Sequence, residues 1–151
     1  MVYGYAGYFT TDCSGLVEAV DVTPAHVSEM SHFRDWLDKA DLSAGTRVLY
    51  DKGASSALNR EALKSRGLRD GIMRKKPKGR PFNHWQRLRN KAISRRRFVV
   101  ERTFGTLKRV YGLSRSRYIG MEKVLGEALI KSIAYNLKRT YGLSQQIQFT
   151  G

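Results

Sequence analysis

Hydrophobic and polar positions alternate with a period of two near the start of the chain and recur every three or four residues further on. Tyr3 to Thr10 is rich in aromatic and β-branched residues, and Leu16 to Val22 sets Leu16, Glu18, Val20 and Val22 against Val17, Ala19 and Asp21. Separated by Thr11-Asp12-Cys13-Ser14-Gly15, the two runs predict a hairpin. Thr23-Pro24-Ala25-His26 should break its second strand. Ser28-Glu29-Met30-Ser31 then offers an N-cap for a helix whose Met30, Phe33, Trp36 and Leu37 share one face, with Ala44-Gly45 closing it. Arg47 to Tyr50 suits a short buried strand ending at Asp51. Ser56 to Arg66 predicts a helix with Ala57, Leu58, Ala62 and Leu63 inward and Gly67 beyond its end. After a short strand around Asp70 to Met73, the stretch 74–81 holds two prolines and a glycine and reads as an exposed loop. A long helix from about His84 to Val110, interrupted only by Gly105, precedes a last helix from Met121 to Tyr141. Leu125, Ala128, Leu129, Ile133, Leu137 and Tyr141 there recur at spacings of three and four. This order predicts a mixed α/β layer with helices covering a small sheet.

Charge changes the picture. The 151 residues carry 28 Lys and Arg against 13 Asp and Glu, a formal charge of +15, and a hydrophobic fraction of 41% excludes a chain disordered throughout. Residues 1–60 sum to −3 and residues 61–151 to +18. So large an excess repels itself unless a polyanion neutralises it, and DNA or RNA is the expected partner, against a merely solvated basic surface. Two stretches concentrate the charge. One is the loop with Arg74, Lys75, Lys76, Lys78 and Arg80; the other is the helical group Arg87, Arg89, Lys91, Arg95, Arg96 and Arg97, which covers most of a helix circumference. No apolar run approaches the roughly 18 residues that span a bilayer. Met1 to Tyr5 has no secretory pattern, and Cys13 has no disulfide partner within the chain, so the expected location is the cytoplasm.

Two carboxylates stand out. Asp51 ends a buried strand before Lys52-Gly53, a position that either caps the turn or serves a site. Glu101 is the only acid between Asp70 and Glu122, and Arg97, Glu101, Phe104 and Lys108 share a helix face. That pattern is either an ordinary ion pair with Arg97 or a carboxylate flanked by cations, as metal-dependent phosphoryl transfer requires. His26 and His32 are read as capping or surface residues and His84, beside Trp85, as packing. No phosphate-cradling glycine motif is present.

These residues resemble the bacterial insertion-sequence transposases of the DDE class, in the branch with a Tyr-Arg-Glu-Lys signature. Arg97, Glu101 and Lys108 match three of its positions at the right spacing, with Ser94 where the Tyr would be. Val22 to Met30, Tyr50-Asp51-Lys52-Gly53 and Glu101 to Arg109 are similar in order and spacing, with Ala54 where an aromatic is common. The resemblance implies a ribonuclease H-like mixed sheet flanked by helices, on which two Asp and one Glu hold Mg²⁺ or Mn²⁺ for in-line attack on a phosphodiester. Asp51 would be the second Asp and Glu101 the Glu, both catalytic and metal-binding. Arg97 and Lys108 would contact DNA near the reacting phosphate, and Lys75, Lys76, Lys78 and Arg80 would contact it elsewhere. The first Asp belongs to a strand upstream of the one resembling Tyr3 to Thr10, and neither Asp12 nor Asp21 matches its place. Residues 1–151 are therefore expected to be a partial catalytic domain without its first strand, inactive alone in DNA transposition. The implied partners are double-stranded DNA and either a second copy or a complementing amino-terminal polypeptide, near the nucleoid. The alternatives are a non-catalytic basic DNA-binding or regulatory protein derived from a transposase, and an RNA-binding protein.

Overall fold

The structure, a computed structural model, describes residues 4–148, with side chains described to Gln145. Tyr3, where the first strand was expected to begin, lies outside the described residues. Contacts divide the chain into two units, one made of the residues up to His26 with those from Val99 on, the other of Val27–Phe98.

In the first unit, β1 (Tyr5–Thr11) pairs antiparallel with β2 (Val17–Pro24), Gly7 opposite Val22 and Phe9 opposite Val20. The strand runs through Thr23 to Pro24, which the sequence reading placed in a break; Pro24 sits at the last ladder position, where a missing N–H is tolerated. In the turn between them the Asp12 carboxylate accepts the Leu16 N–H at 2.7 Å. Gly15 takes φ +86°, and a Cβ there would lie 3.0 Å from Thr103 Oγ1 and 3.1 Å from Val99 Cγ1, so the turn needs glycine. The unit also contains the second half of α3 (His84–Arg109), which runs unbroken through Gly105, and α4 (Met121–Gln148).

Polar groups attach these helices to the hairpin. Asn136 of α4 accepts the Val17 N–H and donates to the Val17 carbonyl, both at 2.8 Å, so its amide replaces a strand neighbour. Thr103 Oγ1 donates to the Gly15 carbonyl at 3.0 Å and receives the Tyr135 hydroxyl at 3.0 Å, while Arg139 holds the Ser14 carbonyl. Around them Val17, Leu107 and Tyr135 form one apolar cluster, Val22, Val124 and Ala128 another, and Phe9 meets Phe104 edge to face at 5.1 Å. The buried face of α4 is thus Val124, Ala128, Ser132 and Tyr135. The expected stripe holds only in its first turn: Ala128 is buried and Leu125 packs against its cluster, whereas Leu129, Ile133, Leu137 and Tyr141 are exposed, Tyr141 to 68%. Beyond that turn apolar spacing misled because hydrogen bonds from Asn136 and Arg139 to the hairpin help fix which side of α4 turns inward.

The second unit starts with α1 (Glu29–Ala40), N-capped by Ser28 Oγ, which accepts the Met30 N–H. Phe33, Trp36 and Leu37 are buried as expected, but Met30 is exposed and His32, read as a cap or surface residue, is buried in its stead. The helix ends before the expected Ala44-Gly45, at Asp41 in the left-handed region. β3 (Arg47–Tyr50) and β4 (Arg69–Ile72) pair in parallel through α2 (Ala57–Ser65), with Leu49 opposite Gly71. A Cβ on Gly71 would lie 2.4 Å from the Val48 carbonyl, so only glycine lets the strands approach. In α2 the inward residues are Asn59, Ala62 and Leu63, whereas Ala57 and Leu58 are exposed. Among the described residues the strands thus form two separate two-stranded sheets rather than the single mixed sheet expected. No helix among them is long and apolar enough to cross a membrane.

Replacing Asn136 with Ala strips both polar groups of Val17 from their partners, and urea unfolding should show a loss of about 2 kcal/mol. Glu127 supplies a pH test in the same unit. Its carboxyl accepts from Lys131 Nζ at 2.6 Å, from Ser116 and from the Arg117 N–H; these, led by the Lys131 bond and opposed by burial, hold it below the ordinary 4.5. Because the folded value is depressed, this stabilisation is complete above 4.5 and is lost as pH falls through the folded value. Glu127→Gln should flatten that acid limb in a series of melting curves.

Candidate functional site

Asp51 follows β3 directly. Its Oδ1 accepts the Lys52 N–H and caps a single 3-10 turn, Lys52–Ala54, that closes on Ala54. The turn is anchored from beneath: buried Asn59 donates both amide hydrogens, to the Ala54 carbonyl at 2.9 Å and the Met30 carbonyl at 3.0 Å. A ring at position 54, common in the family resembled above, has no room, since Ala54 is fully buried. Asp51 is therefore a turn cap, as one reading of the sequence held, yet its side chain stays 47% exposed and Arg97 Nη1 stands 3.8 Å from Oδ1. Arg97 is steadied by Met73 Sδ at 3.6 Å. The guanidinium thus turns to Asp51, and among the described residues no ion pair joins it to Glu101.

What brings α3 to this point is a carboxylate that sequence reasoning passed over. Asp70 accepts the Ile72 N–H at 2.8 Å, the Arg60 guanidinium, and Arg89 Nη2 at 3.1 Å. Arg89 also donates to the carbonyls of Ile72 and Asp70, at 2.8 and 3.1 Å. The next residue, Asn90, closes two bonds with the backbone of Arg74, at 2.9 and 3.1 Å. Beyond that clamp Lys75, Lys76, Lys78 and Arg80 are all exposed in irregular chain, as expected. The loop's basic character was legible; its anchor was not, because an Asp and an Asn at ordinary spacing carry no motif.

Glu101 and Lys108 belong to the first unit. Both are exposed, and among the described residues neither has an ion-pair or hydrogen-bond partner, while Phe104 between them packs on Phe9. His84 is not packed: it and Trp85 are exposed, Trp85 to 76%, touching only edge to face at 5.9 Å. Among the described residues no group of three or more His, Cys, Asp or Glu converges. Each carboxylate taken by itself has the chemistry for a hard cation, which often takes only one or two protein carboxylates: Asp51 keeps Oδ2 open, and Glu101, in the other unit, is unengaged.

Residues 3–137 match the family described as Transposase DDE domain, and the chain belongs to that family. It is 41% identical over 134 residues to the transposase for insertion sequence element IS1106 of Neisseria meningitidis serogroup B, covering 89% of this chain and 46% of that protein. The chain thus spans about half the length of the curated relative it matches. No solved structure matches it significantly.

Asn90→Ala should release the basic loop. Losing the clamp corresponds to about 1 kcal/mol of local opening, or roughly fivefold faster trypsin cleavage within residues 74–80, read by mass spectrometry.

Proposed function

We propose that this chain is part of the catalytic domain of an insertion-sequence transposase, binding duplex DNA and contributing Asp51 and Glu101 to a site for Mg²⁺ or Mn²⁺. The observation that carries the reading is Asp51 at the end of a parallel strand with Arg97 beside it, in a chain of the DDE family. The finer fold is ribonuclease H-like, with the strand of the first Asp outside these residues. Two sheets of two strands each, all of them edge strands, support that reading.

When bound, a divalent cation there supplies Lewis-acid stabilisation of phosphate oxygens. The chain's own residues do the rest. Asp51 is oriented by the turn it caps, Arg97 is withdrawn onto Asp51 until phosphate competes for it, and Lys108 offers a second cation for the backbone. Lys75, Lys76, Lys78 and Arg80 give an exposed counter-charge for flanking DNA, anchored at Arg74. A second reading, a non-catalytic DNA-binding regulator that pairs with a second copy or a complementing polypeptide, draws on the +18 charge of residues 61–151, which binds DNA without any carboxylate.

The 151-residue polypeptide should bind duplex DNA with an affinity that falls steeply as salt rises, and should not nick it with Mg²⁺ or Mn²⁺. Nicking abolished by Asp51→Ala would contradict inactivity of this chain alone. Glu101→Ala decides between the readings: in a transposition assay with a full-length relative it should abolish any contribution of this chain under the catalytic reading and leave it intact under the regulatory one.

A further inference from the structure

The arginines of α3 were too widely spread around the helix for all of them to face one duplex, and the second unit shows where two of them go. Arg89 and Arg96 border a cavity of about 220 Å³ with Arg47 of β3, floored by Leu49 and Gly71. Arg47 lies opposite Arg69 in the parallel register, so cation stands beside cation across the strands, an arrangement that is destabilising by itself. Asp70 is the one carboxylate on the rim, and it is already engaged by Arg60, Arg89 and the Ile72 N–H. Among the described residues no carboxylate pairs with Arg47 or Arg96.

We propose that this cleft is a second phosphate-binding surface, separate from Asp51, Arg97 and the 74–81 loop, that holds successive phosphates of a DNA strand on Arg47 and Arg96. The chemistry follows from the guanidinium fork, which matches phosphate oxygens in two-bond geometry and stays charged at any working pH. The number of cations decides between a nucleic-acid strand and a free phosphate. Arg47 and Arg96 border the cleft from different elements, β3 and α3, and Arg89 is already committed to Asp70 and the strand carbonyls. A DNA strand presents a charge roughly every 3.4 Å along its own axis, so successive phosphates can meet both open cations where one free anion would leave one uncompensated. The choice of DNA over RNA rests on the proposed function, and the test separates the two.

The test measures affinity of the full chain for a short duplex by fluorescence anisotropy across a salt series. Arg47→Gln with Arg96→Gln should make the plot of log affinity against log salt shallower by about 1.8, two contacts at roughly 0.9 each. A control pair losing the same charge, Arg34→Gln with Lys64→Gln on α1 and α2, should change it by less than half of that. Both substituted arginines are exposed, and unchanged thermal melting of the variant confirms that the loss is one of binding. An unaltered slope in a chain that binds DNA overturns the cleft alone, as does an equal fall in the control. Failure of the unsubstituted chain to bind duplex DNA overturns the underlying functional reading as well. A larger slope change on duplex RNA than on DNA overturns the choice of partner. Displacement of DNA by inorganic phosphate at constant ionic strength, lost in the double variant, overturns it in favour of the free anion.

Discussion

The backbone contact between β3 and β4 at Gly71 is the constraint on which the candidate site depends. With no Cβ at 71, the parallel pair closes until Val48 and Gly71 touch backbone to backbone, and the strand that ends on Asp51 gains a neighbour along its whole length. The same strand presents Asp70, whose carboxylate gathers Arg60 from α2 and Arg89 from α3. That gathering sets the first half of α3 against the sheet, and two turns later the helix delivers Arg97 beside Asp51. A chain of short-range contacts thus links a missing methyl group to the electrostatics around a candidate metal ligand.

The first unit relies on a different device. Backbone groups at the hairpin turn are satisfied by side chains of α3 and α4, with Thr103, Asn136 and Arg139 each taking a carbonyl. Buried amides and carbonyls left without such partners would cost more than the bonds contribute, so these residues specify one seating of the helices on the hairpin. Glu101 lies half a turn from Thr103 on α3, and its exposed position follows from the burial of that threonine. In both units, therefore, the acidic residue of interest projects from an element locked by a neutral polar side chain, Asn59 beneath Asp51 and Thr103 beside Glu101.

Much of this was legible beforehand where one physical rule dominated. The strand Arg47–Tyr50, the hairpin, the Ser28 and Ser56 caps and the start of α3 at His84 followed from β-branched runs, capping chemistry and proline punctuation. The inward face of α4 followed only as far as Leu125 and Ala128, because hydrophobic spacing cannot weigh an Asn that substitutes for a strand. Leu58 and Met30 were misplaced for a related reason: each lies in the first turn of its helix, where Asn59 and His32 take the inward positions instead. For the site, charge and spacing singled out Asp51, Arg97 and Glu101, and the pairing of Arg97 with Asp51 required the fold. Asp70 and Arg47 passed unnoticed since their meaning arises only from parallel register.

The proposed function has Asp51 and Glu101 serve one divalent cation. Titrating Mn²⁺ into the chain by electron paramagnetic resonance, with Asp51→Asn, Glu101→Gln and the double variant in one thermodynamic cycle, tests it most directly. Shared coordination predicts weak binding in which either single substitution loses nearly as much affinity as both together. Strictly additive losses, or binding unaffected by either substitution, would contradict it.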